Sequence, residues 1–159
     1  MINEDGLVVS DDPTRLDVAA VHRWLSEESY WAAGRDEDTV RRSLAGSRCY
    51  GVYGADGRQV AFTRVVTDGV TFAWICDVFV DSAERGRGIG RWLVAAVIGD
   101  LQAAGVNRLL LATADAHEVY RRVGFEALAG PDRFMEIDTR PTRAAILAAA
   151  TRPGARPTT

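Results

Sequence analysis

The sequence predicts an α/β domain with the element order β-α-α-β-β-β-α-β-α-β-β. Two observations support this fold class. Apolar strand-like segments alternate with stretches in which apolar residues recur at the spacing of an amphipathic helix. Short turns containing Gly and Asp separate three successive strand-like segments, which is typical of an antiparallel meander. With 159 residues, the chain is long enough for one domain around a single core.

The first half of the chain supplies one strand, two helices and the meander. Tyr30 and Trp31 stand where the helical pattern breaks, so both aromatic side chains are predicted to lie in a loop between the helices. Aromatic side chains in such a loop can be simple hydrophobic plugs, or they can present rigid surface to a ligand, and both interpretations stay open. In residue numbers, the predicted elements are a strand at 7–10, helices at 17–27 and from 36 or 38 onward, and strands at 49–53, 60–66 and 71–80.

The most informative stretch runs from a buried strand through a glycine-rich loop into an amphipathic helix. Gly86, Gly88 and Gly90 leave the backbone accessible at the helix N-terminus, where unpaired N–H groups and the helix dipole favour a phosphate or pyrophosphate. A P-loop is excluded because the chain contains no lysine. The dinucleotide-binding fingerprint also fails, because Arg91 or Leu93 occupies the place of its third small residue.

The second half continues with a strand, a short helix and a final pair of strands. Three consecutive leucines within residues 108–113 are typical of a strand buried on both faces. Asp115 is expected to cap the following helix, because Glu118 stands three residues later, as in a capping box. Residues 126–128 and 133–137 are predicted to pair as antiparallel strands.

Composition and charge limit the class of protein. Hydrophobic residues at 47% and charged residues at 26% are ordinary for a globular domain, and a net charge of −3 argues against nucleic-acid binding. No apolar run approaches 18 residues and no signal peptide is present, so no membrane association and a cytoplasmic location are expected. Cys49 and Cys76 lack metal-ligand spacing, so we expect reduced thiols and no metal. The domain is expected to span residues 1–139, with an Ala-, Arg- and Pro-rich, partly disordered tail at 140–159.

Two motifs carry a resemblance to a known family. They are Arg85-x-x-Gly88-x-Gly90 and Ala116-x-x-Val119-Tyr120-x-x-Val123-Gly124-Phe125. In type, order and separation they resemble the two motifs of the GCN5-related N-acetyltransferase (GNAT) superfamily, and the resemblance extends over roughly residues 7–137. It implies the GNAT fold, with a central mixed, mostly antiparallel sheet of about six to seven strands and helices on both faces. The exclusive use of Arg among the 19 basic residues is typical of a GC-rich bacterial source.

The resemblance implies an acetyl-CoA site in the cleft between the strand before the glycine-rich loop and the strand after its helix. Main-chain groups of the first strand would pair with the pantetheine arm, and amides of the loop would hold the pyrophosphate. The family has Asn where Thr113 stands, which leaves the role of this residue open. The residues expected to bind acetyl-CoA are Val78, Phe79, Val80, Arg85, Gly86, Arg87, Gly88, Ile89, Gly90, Thr113 and Arg122.

The resemblance also implies a catalytic tyrosine. Tyr120 matches the family's tyrosine, and a phenol with a pKa of about 10 suits a general acid for a leaving thiolate whose thiol has a pKa of about 8.5. Asp77 is the other catalytic candidate, because a carboxyl group inside an apolar strand needs a reason. Its roles as direct base, member of a water relay or structural acid all stay open. Glu28, His22 and His117 are weaker candidates for the base.

The acceptor is expected to be the primary amine of a small molecule, acetylated directly from acetyl-CoA. Many aromatic residues and few carboxylates favour a small or flat amine over a long polycation. A protein N-terminus or lysine as acceptor, and a non-catalytic acyl-CoA sensor, are the alternatives. Dimers are common in the superfamily, so the resemblance also allows a homodimer. The residues expected to bind the acceptor are Tyr30, Trp31, Glu28, Arg64 and Trp74.

Overall fold

The structure, a computed structural model, describes residues 1–140 together with Arg143, Ala144 and Ala148. Its strands and α-helices are β1 (Val8–Ser10), α1 (Val18–Glu28), α2 (Glu37–Ala45), β2 (Arg48–Tyr53), β3 (Gln59–Thr67), β4 (Ala73–Val80), α3 (Ile89–Ala103), β5 (Leu109–Leu110) and α4 (His117–Arg121). This order confirms the predicted α/β class and the predicted succession of elements as far as α4.

The central sheet has the strand order β1-β2-β3-β4-β5. The first four strands are antiparallel, whereas β5 joins β4 in parallel, so the sheet is mixed as predicted. The parallel pairing covers only two residue pairs, Ala73 with Leu109 and Trp74 with Leu110. Beyond Trp74, β4 continues to Val80 without a strand partner on that side among the described residues. The two strands therefore separate and leave a cleft between them.

A bulge interrupts β4 beside this cleft. On β3, Phe62 pairs with Phe79 of β4 and Arg64 pairs with Cys76. Thr63, the one residue between them, therefore faces two β4 residues, Asp77 and Val78. Asp77 has a φ of 55°, and among the described residues no other residue except glycine has a positive φ. This conformation costs an ordinary residue roughly 1–2 kcal/mol, so the surrounding contacts have to stabilise it.

The bulge changes which main-chain groups of β4 face the cleft. Before the bulge, the Ala73 N–H points towards β5, where it donates to the Arg108 carbonyl at 2.9 Å. Groups on the same side of a strand recur every second residue, and one extra residue shifts this alternation. After the bulge, Val78 and Val80 therefore face the cleft, and the Val80 carbonyl accepts a bond from Arg85 Nε on that side at 3.0 Å.

Helices cover both faces of the sheet, which confirms the layered arrangement. Helix α3 buries one apolar face against the sheet, whereas α1 and α2 pack on the opposite face, where Trp24 stacks on Phe79 with ring centroids 5.5 Å apart. The α3 side includes Leu93, Val97, Leu101, Val65, Ile75 and Val80. The α1–α2 side includes Val21, Leu25, Val40, Leu44 and Phe62.

The sheet has five strands rather than the predicted six to seven, because the expected strands at 126–128 and 133–137 are not formed. A single 3-10 turn at Pro131–Arg133 interrupts this segment, and Met135 and Ile137 are 98% and 97% exposed. Because β5 extends over only two residues, it offers too short an edge to order an additional strand.

Two local expectations are also wrong. Ala116, rather than Asp115, precedes the first residue of α4, and the amide of Ala116 donates to Thr113 Oγ1 at 3.0 Å. The leucines of β5 are half-buried rather than fully buried, because the strand ends where the cleft opens. The tail predicted at 140–159 lies almost entirely outside the described residues. Within the described part of the chain, no helix combines the length and apolar character needed to span a membrane.

Candidate functional site

The glycine-rich loop presents a row of unpaired main-chain donors. Gly88 precedes the first residue of α3 with a φ of 76°, and no side chain caps this helix end. Gly86 has a φ of 82°, which an L-residue with a side chain adopts only with strain. From Gly86 to Arg91, no backbone N–H donates to another described residue. These amides converge on a helix N-terminus and are therefore available to an anionic ligand.

A cavity of about 600 Å³ adjoins these amides and extends to α4. Of the arginines at its edge, Arg85, Arg91 and Arg122 form no ion pair within residues 1–140. Arg85 has other contacts, so the charges of Arg91 and Arg122 are the ones available to a phosphate. The cavity is lined by Val80, Glu84, Arg85, Gly86, Arg87, Gly88, Ile89, Gly90, Arg91, Glu118, Val119 and Arg122.

The side chains of Arg85 and Arg87 are already engaged within the protein. Besides its bond to the Val80 carbonyl, the Arg85 guanidinium lies 5.0 Å from the centroid of the Phe79 ring. Arg87 pairs with Glu84, and its second partner is Asp5 at 3.6 Å. At Arg85 and Arg87, only main-chain groups are therefore available to a ligand. The available guanidinium groups at this cavity are those of Arg91 and Arg122.

Tyr120 lies on α4 beside the cleft and is only 7% exposed. Its ring meets Phe125 edge to face at 6.0 Å, and its hydroxyl has no hydrogen-bond partner in the described structure. Burial raises the pKa of Tyr120 far above its ordinary value, and the nearby Tyr30 and Asp115 raise it further. The phenol is therefore protonated throughout the neutral range. Tyr120 borders a second cavity of about 410 Å³ along β5, whereas its neighbours Val119 and Arg122 border the first.

Asp77, by contrast, is surrounded by donors. Arg64 Nε donates to its Oδ2 at 2.8 Å, Arg35 Nη1 donates to the same oxygen at 3.2 Å, and Trp31 Nε1 donates to Oδ1 at 3.2 Å. The Asp77 side chain is 4% exposed, and the backbone of the residue has the positive φ of the bulge. These three donors come from β3 and from the loop between α1 and α2, so they hold the strained residue from two directions.

The loop between α1 and α2, residues 29–36, reaches both sides of the cleft. Trp31 and Arg35 attach it to Asp77 on β4. On the other side, Tyr30 Oη accepts from the Ala114 amide at 3.3 Å and donates to Asp115 Oδ1 at 3.4 Å. The rings of Tyr30 and Trp31 meet edge to face with centroids 5.0 Å apart. The loop therefore forms a strap across the end of the cleft.

The remaining predicted residues are less closely associated with the cleft. Glu28 is exposed and its carboxylate has no partner in residues 1–140, so the structure does not bring it together with the others. Trp74 is 36% exposed at the start of β4. The Thr113 hydroxyl accepts a hydrogen bond from the Ala116 amide in the turn before α4. His22 supports the strap, because its Nε2 lies 3.2 Å from the Arg35 carbonyl oxygen.

Sequence reasoning missed the contribution of two residues. Arg35 had no pattern around it that pointed to a site, because its partner is 42 positions away along the chain. Asp115 carried a signal that was interpreted as a helix cap, although its carboxylate bonds to Tyr30 across 85 positions. Only the packing of α1 and α2 against the sheet brings these pairs together.

Comparison with known proteins places these features in a family. Residues 18–125 match the model of the acetyltransferase (GNAT) family. A crystal structure of a GNAT-family protein from Xanthomonas campestris pv. campestris is 40% identical, with a TM-score of 0.79, over 87% of this chain and 95% of that one.

Curated relatives agree with this assignment. A proposed acetyltransferase of Gibberella zeae is 30% identical over 71% of this chain and 75% of its own length. Serotonin N-acetyltransferase 2 of rice is 32% identical over 79% of this chain but 61% of its own length. Shorter matches, over less than half of this chain, include a histone acetyltransferase of soybean. The chain therefore belongs to the GNAT family of acetyltransferases, which use acetyl-CoA as co-substrate.

Proposed function

We propose that this enzyme transfers the acetyl group of acetyl-CoA directly to the primary amine of a small molecule. The observation that carries the proposal is the strap, whose residues are hydrogen-bonded to both sides of the cleft at its acceptor end. A small amine can be enclosed beneath such a strap, whereas a folded polypeptide would have to displace it. The name of the rice relative, a serotonin N-acetyltransferase, supports an aromatic amine, which suits the rings of Tyr30 and Trp31.

The residues present fit acetyl-CoA. The free amides from Gly86 to Arg91 would hold the pyrophosphate, and Arg122 and Arg91 would neutralise phosphate charge at the edge of the cavity. Main-chain groups of Val78 face the open side of β4, where an extended pantetheine arm can pair with them as an additional strand would. When bound there, acetyl-CoA supplies the activated thioester.

The chain's own groups then account for the chemistry. The Val78 N–H, turned into the cleft by the bulge, would stabilise the negative charge that develops on the acetyl oxygen. The Phe79 amide faces β3 and is a poorer candidate. Tyr120, kept protonated by burial, would give its proton to the departing thiolate.

Asp77 has a different role in this proposal from that of a direct base. With three donors on its two oxygens, the carboxylate has little acceptor capacity left for an amine. Its contacts instead support the backbone conformation that directs the Val78 amide into the cleft. We therefore assign Asp77 as a positioning residue.

A protein acceptor is the second candidate, because a histone acetyltransferase is among the relatives and Phe72 and Trp74 are more than one-third exposed near the start of β4. Thiol release from acetyl-CoA, measured against a no-acceptor blank, separates the candidates when arylalkylamines are compared with peptides bearing a free N-terminus or lysine. We expect turnover with the arylalkylamines, and turnover with peptides alone would overturn the proposal. Heat on titration with acetyl-CoA, without turnover of any acceptor, would instead indicate a non-catalytic sensor.

A further inference from the structure

Tyr30 and Asp115 form a hydrogen-bonded pair that lies outside both sequence motifs. The Tyr30 hydroxyl donates to Asp115 Oδ1 at 3.4 Å and accepts from the Ala114 amide at 3.3 Å. A phenolic oxygen has one proton to donate and further lone-pair capacity to accept. The Tyr30 oxygen therefore retains an acceptor position for an N–H group of a ligand in the cleft.

Asp115 differs from Asp77 in the groups that surround it. Asp77 interacts with two guanidinium groups and an indole N–H. Asp115 receives one hydrogen bond, from Tyr30, and has no cationic partner in the described part of the chain. Asp115, unlike Asp77, thus has the free oxygen positions that proton uptake requires.

The pair also lies next to the catalytic tyrosine. Asp115 precedes α4 by two residues, and α4 carries Tyr120. Both Tyr30 and Asp115 are close enough to act electrostatically on the Tyr120 phenol. Burial also raises the pKa of Tyr30, which keeps this phenol neutral and able both to donate and to accept a proton.

We propose that Tyr30 and Asp115 form the proton relay of this enzyme, an inference that rests on the proposed acyl transfer. As the amine nitrogen bonds to the acetyl carbon, one N–H proton passes to Tyr30 Oη and the Tyr30 hydroxyl proton passes to Asp115 Oδ1. The C–S bond then breaks, and the sulfur takes the proton of Tyr120. After the amide leaves, Asp115 gives its proton to solvent water, and the Tyr120 phenolate takes one proton from solvent water. The amine and thioester thus become amide and thiol, with all three side chains restored.

Two nearly isosteric variants test the relay. Tyr30→Phe keeps the ring that packs on Trp31 but removes the hydroxyl, and Asp115→Asn keeps an oxygen that can accept from Tyr30 but cannot take up the proton. Asp132→Asn is the matched control, because it makes the same change of charge at an exposed position outside the cleft. Thermal unfolding of each variant identifies any that fail to fold.

The decisive comparison uses two acceptors that differ in basicity. With an aliphatic amine, we expect kcat of both relay variants to fall about 100-fold, in the range typical of a lost acid–base group. With a weakly basic arylamine, whose nitrogen loses its proton readily, we expect a loss below about fivefold. A merely structural role would lower kcat by the same factor for both amines, and that result would overturn the proposal.

Acceptor-independent hydrolysis separates failure of the relay from failure of the proposed acceptor class. Water can take the place of the amine and lose its proton to the same pair, so slow thiol release without acceptor should fall about tenfold or more in both variants. Unchanged hydrolysis in folded variants would overturn the relay whichever acceptor the enzyme uses. If the small amines fail as acceptors while the variants still lose hydrolysis, the relay is supported and the proposed acceptor class is wrong.

Discussion

The two ends of the cleft satisfy their polar groups in opposite ways. At the loop before α3, main-chain amides from Gly86 to Arg91 have no internal acceptor in the described structure. Beneath the strap, Asp77 accepts three hydrogen bonds from neighbouring side chains. The first end thus leaves donors unpaired, as the proposed binding of a pyrophosphate requires. The second is held in shape before any ligand arrives, which suits a place where reacting atoms must be positioned.

The largest effect is expected at Tyr120, which lies on α4 beside the cleft. Tyr120→Phe should lower kcat by about 100- to 1,000-fold and leave the acetyl-CoA affinity within about twofold, because only the proton donor is lost. Steady-state kinetics and calorimetry measure the two quantities. Tyr53→Phe is the control, since the buried Tyr53 hydroxyl lies outside the cleft and has no hydrogen-bond partner among the described residues. Equal kcat in wild type and Tyr120→Phe would remove Tyr120 from the mechanism.

The pH dependence of the wild-type enzyme tests the same group. A general acid acts in its protonated form, and burial raises the pKa of Tyr120 above its ordinary value of 10.0. Ionisation of Tyr120 should therefore cause no loss of kcat as the pH rises to about 10. A decline of kcat above pH 8 that disappears in Tyr120→Phe would contradict this assignment.

The internally paired end should respond most strongly in stability. Asp77→Ala leaves the Arg35 and Arg64 guanidinium groups without their carboxylate, and we expect the free energy of unfolding to fall by about 3 kcal/mol. Urea denaturation measures this change, with Asp132→Ala as an exposed control. For Asp77→Asn, we expect a loss of unfolding free energy between those of Asp77→Ala and the control, because Asn retains an acceptor oxygen and the side-chain shape. A change below about 0.5 kcal/mol for Asp77→Ala would mean that the ion pairs do not hold the bulge.

The ligand-completed end should respond in affinity. Gly88→Ala introduces a Cβ at a φ of 76°, where the nearest atom is the flexible Arg91 guanidinium at 3.8 Å, so the effect is conformational. We expect the loop to lose about 1–2 kcal/mol, seen as roughly tenfold weaker acetyl-CoA binding in calorimetry. Gly99→Ala in the same helix meets open space and should stabilise the protein by about 0.5–1 kcal/mol. Equal affinity of Gly88→Ala and wild type would contradict the role of the loop.

The smallest effect is expected at the two cysteines, Cys49 and Cys76, which both lie near Arg64 and Asp77 at the internally paired end. Burial raises the pKa of both Cys49 and Cys76 to about 11, so neither is an activated nucleophile, and Cys76→Ser should keep kcat within about twofold. Unfolded thiols ionise near pH 9.0, so the unfolded state loses protons first and stability should fall as pH rises from about 9 to about 11. Denaturation of wild type and Cys76→Ser across this pH range measures whether the stability falls as expected. Abolished turnover in folded Cys76→Ser would instead indicate a covalent acetyl-cysteine route.

Prediction from sequence succeeded where the information is local. The amphipathic helix directly after the glycine-rich loop, the three-strand meander and the α/β succession follow from residue types within a few positions of one another. It failed for the strands at 126–128 and 133–137, because pairing depends on the length of β5, which ends where the sheet divides. The capping box predicted at Asp115 was also wrong, because the Asp115 carboxylate accepts a hydrogen bond from Tyr30, which is distant in the sequence.

The sequence by itself determined a glycine-rich loop with accessible amides at a helix N-terminus and a tyrosine on the short helix after β5. These depend on backbone conformation and on chain order, both of which a linear pattern encodes. Only the tertiary structure decided which acid is enclosed by cations and which keeps free oxygens. Asp77 meets Arg35 across 42 positions, and Asp115 meets Tyr30 across 85. The chemical character of a carboxylate is set by its neighbours in space, and these are established only when α1, α2 and the strap pack against the sheet.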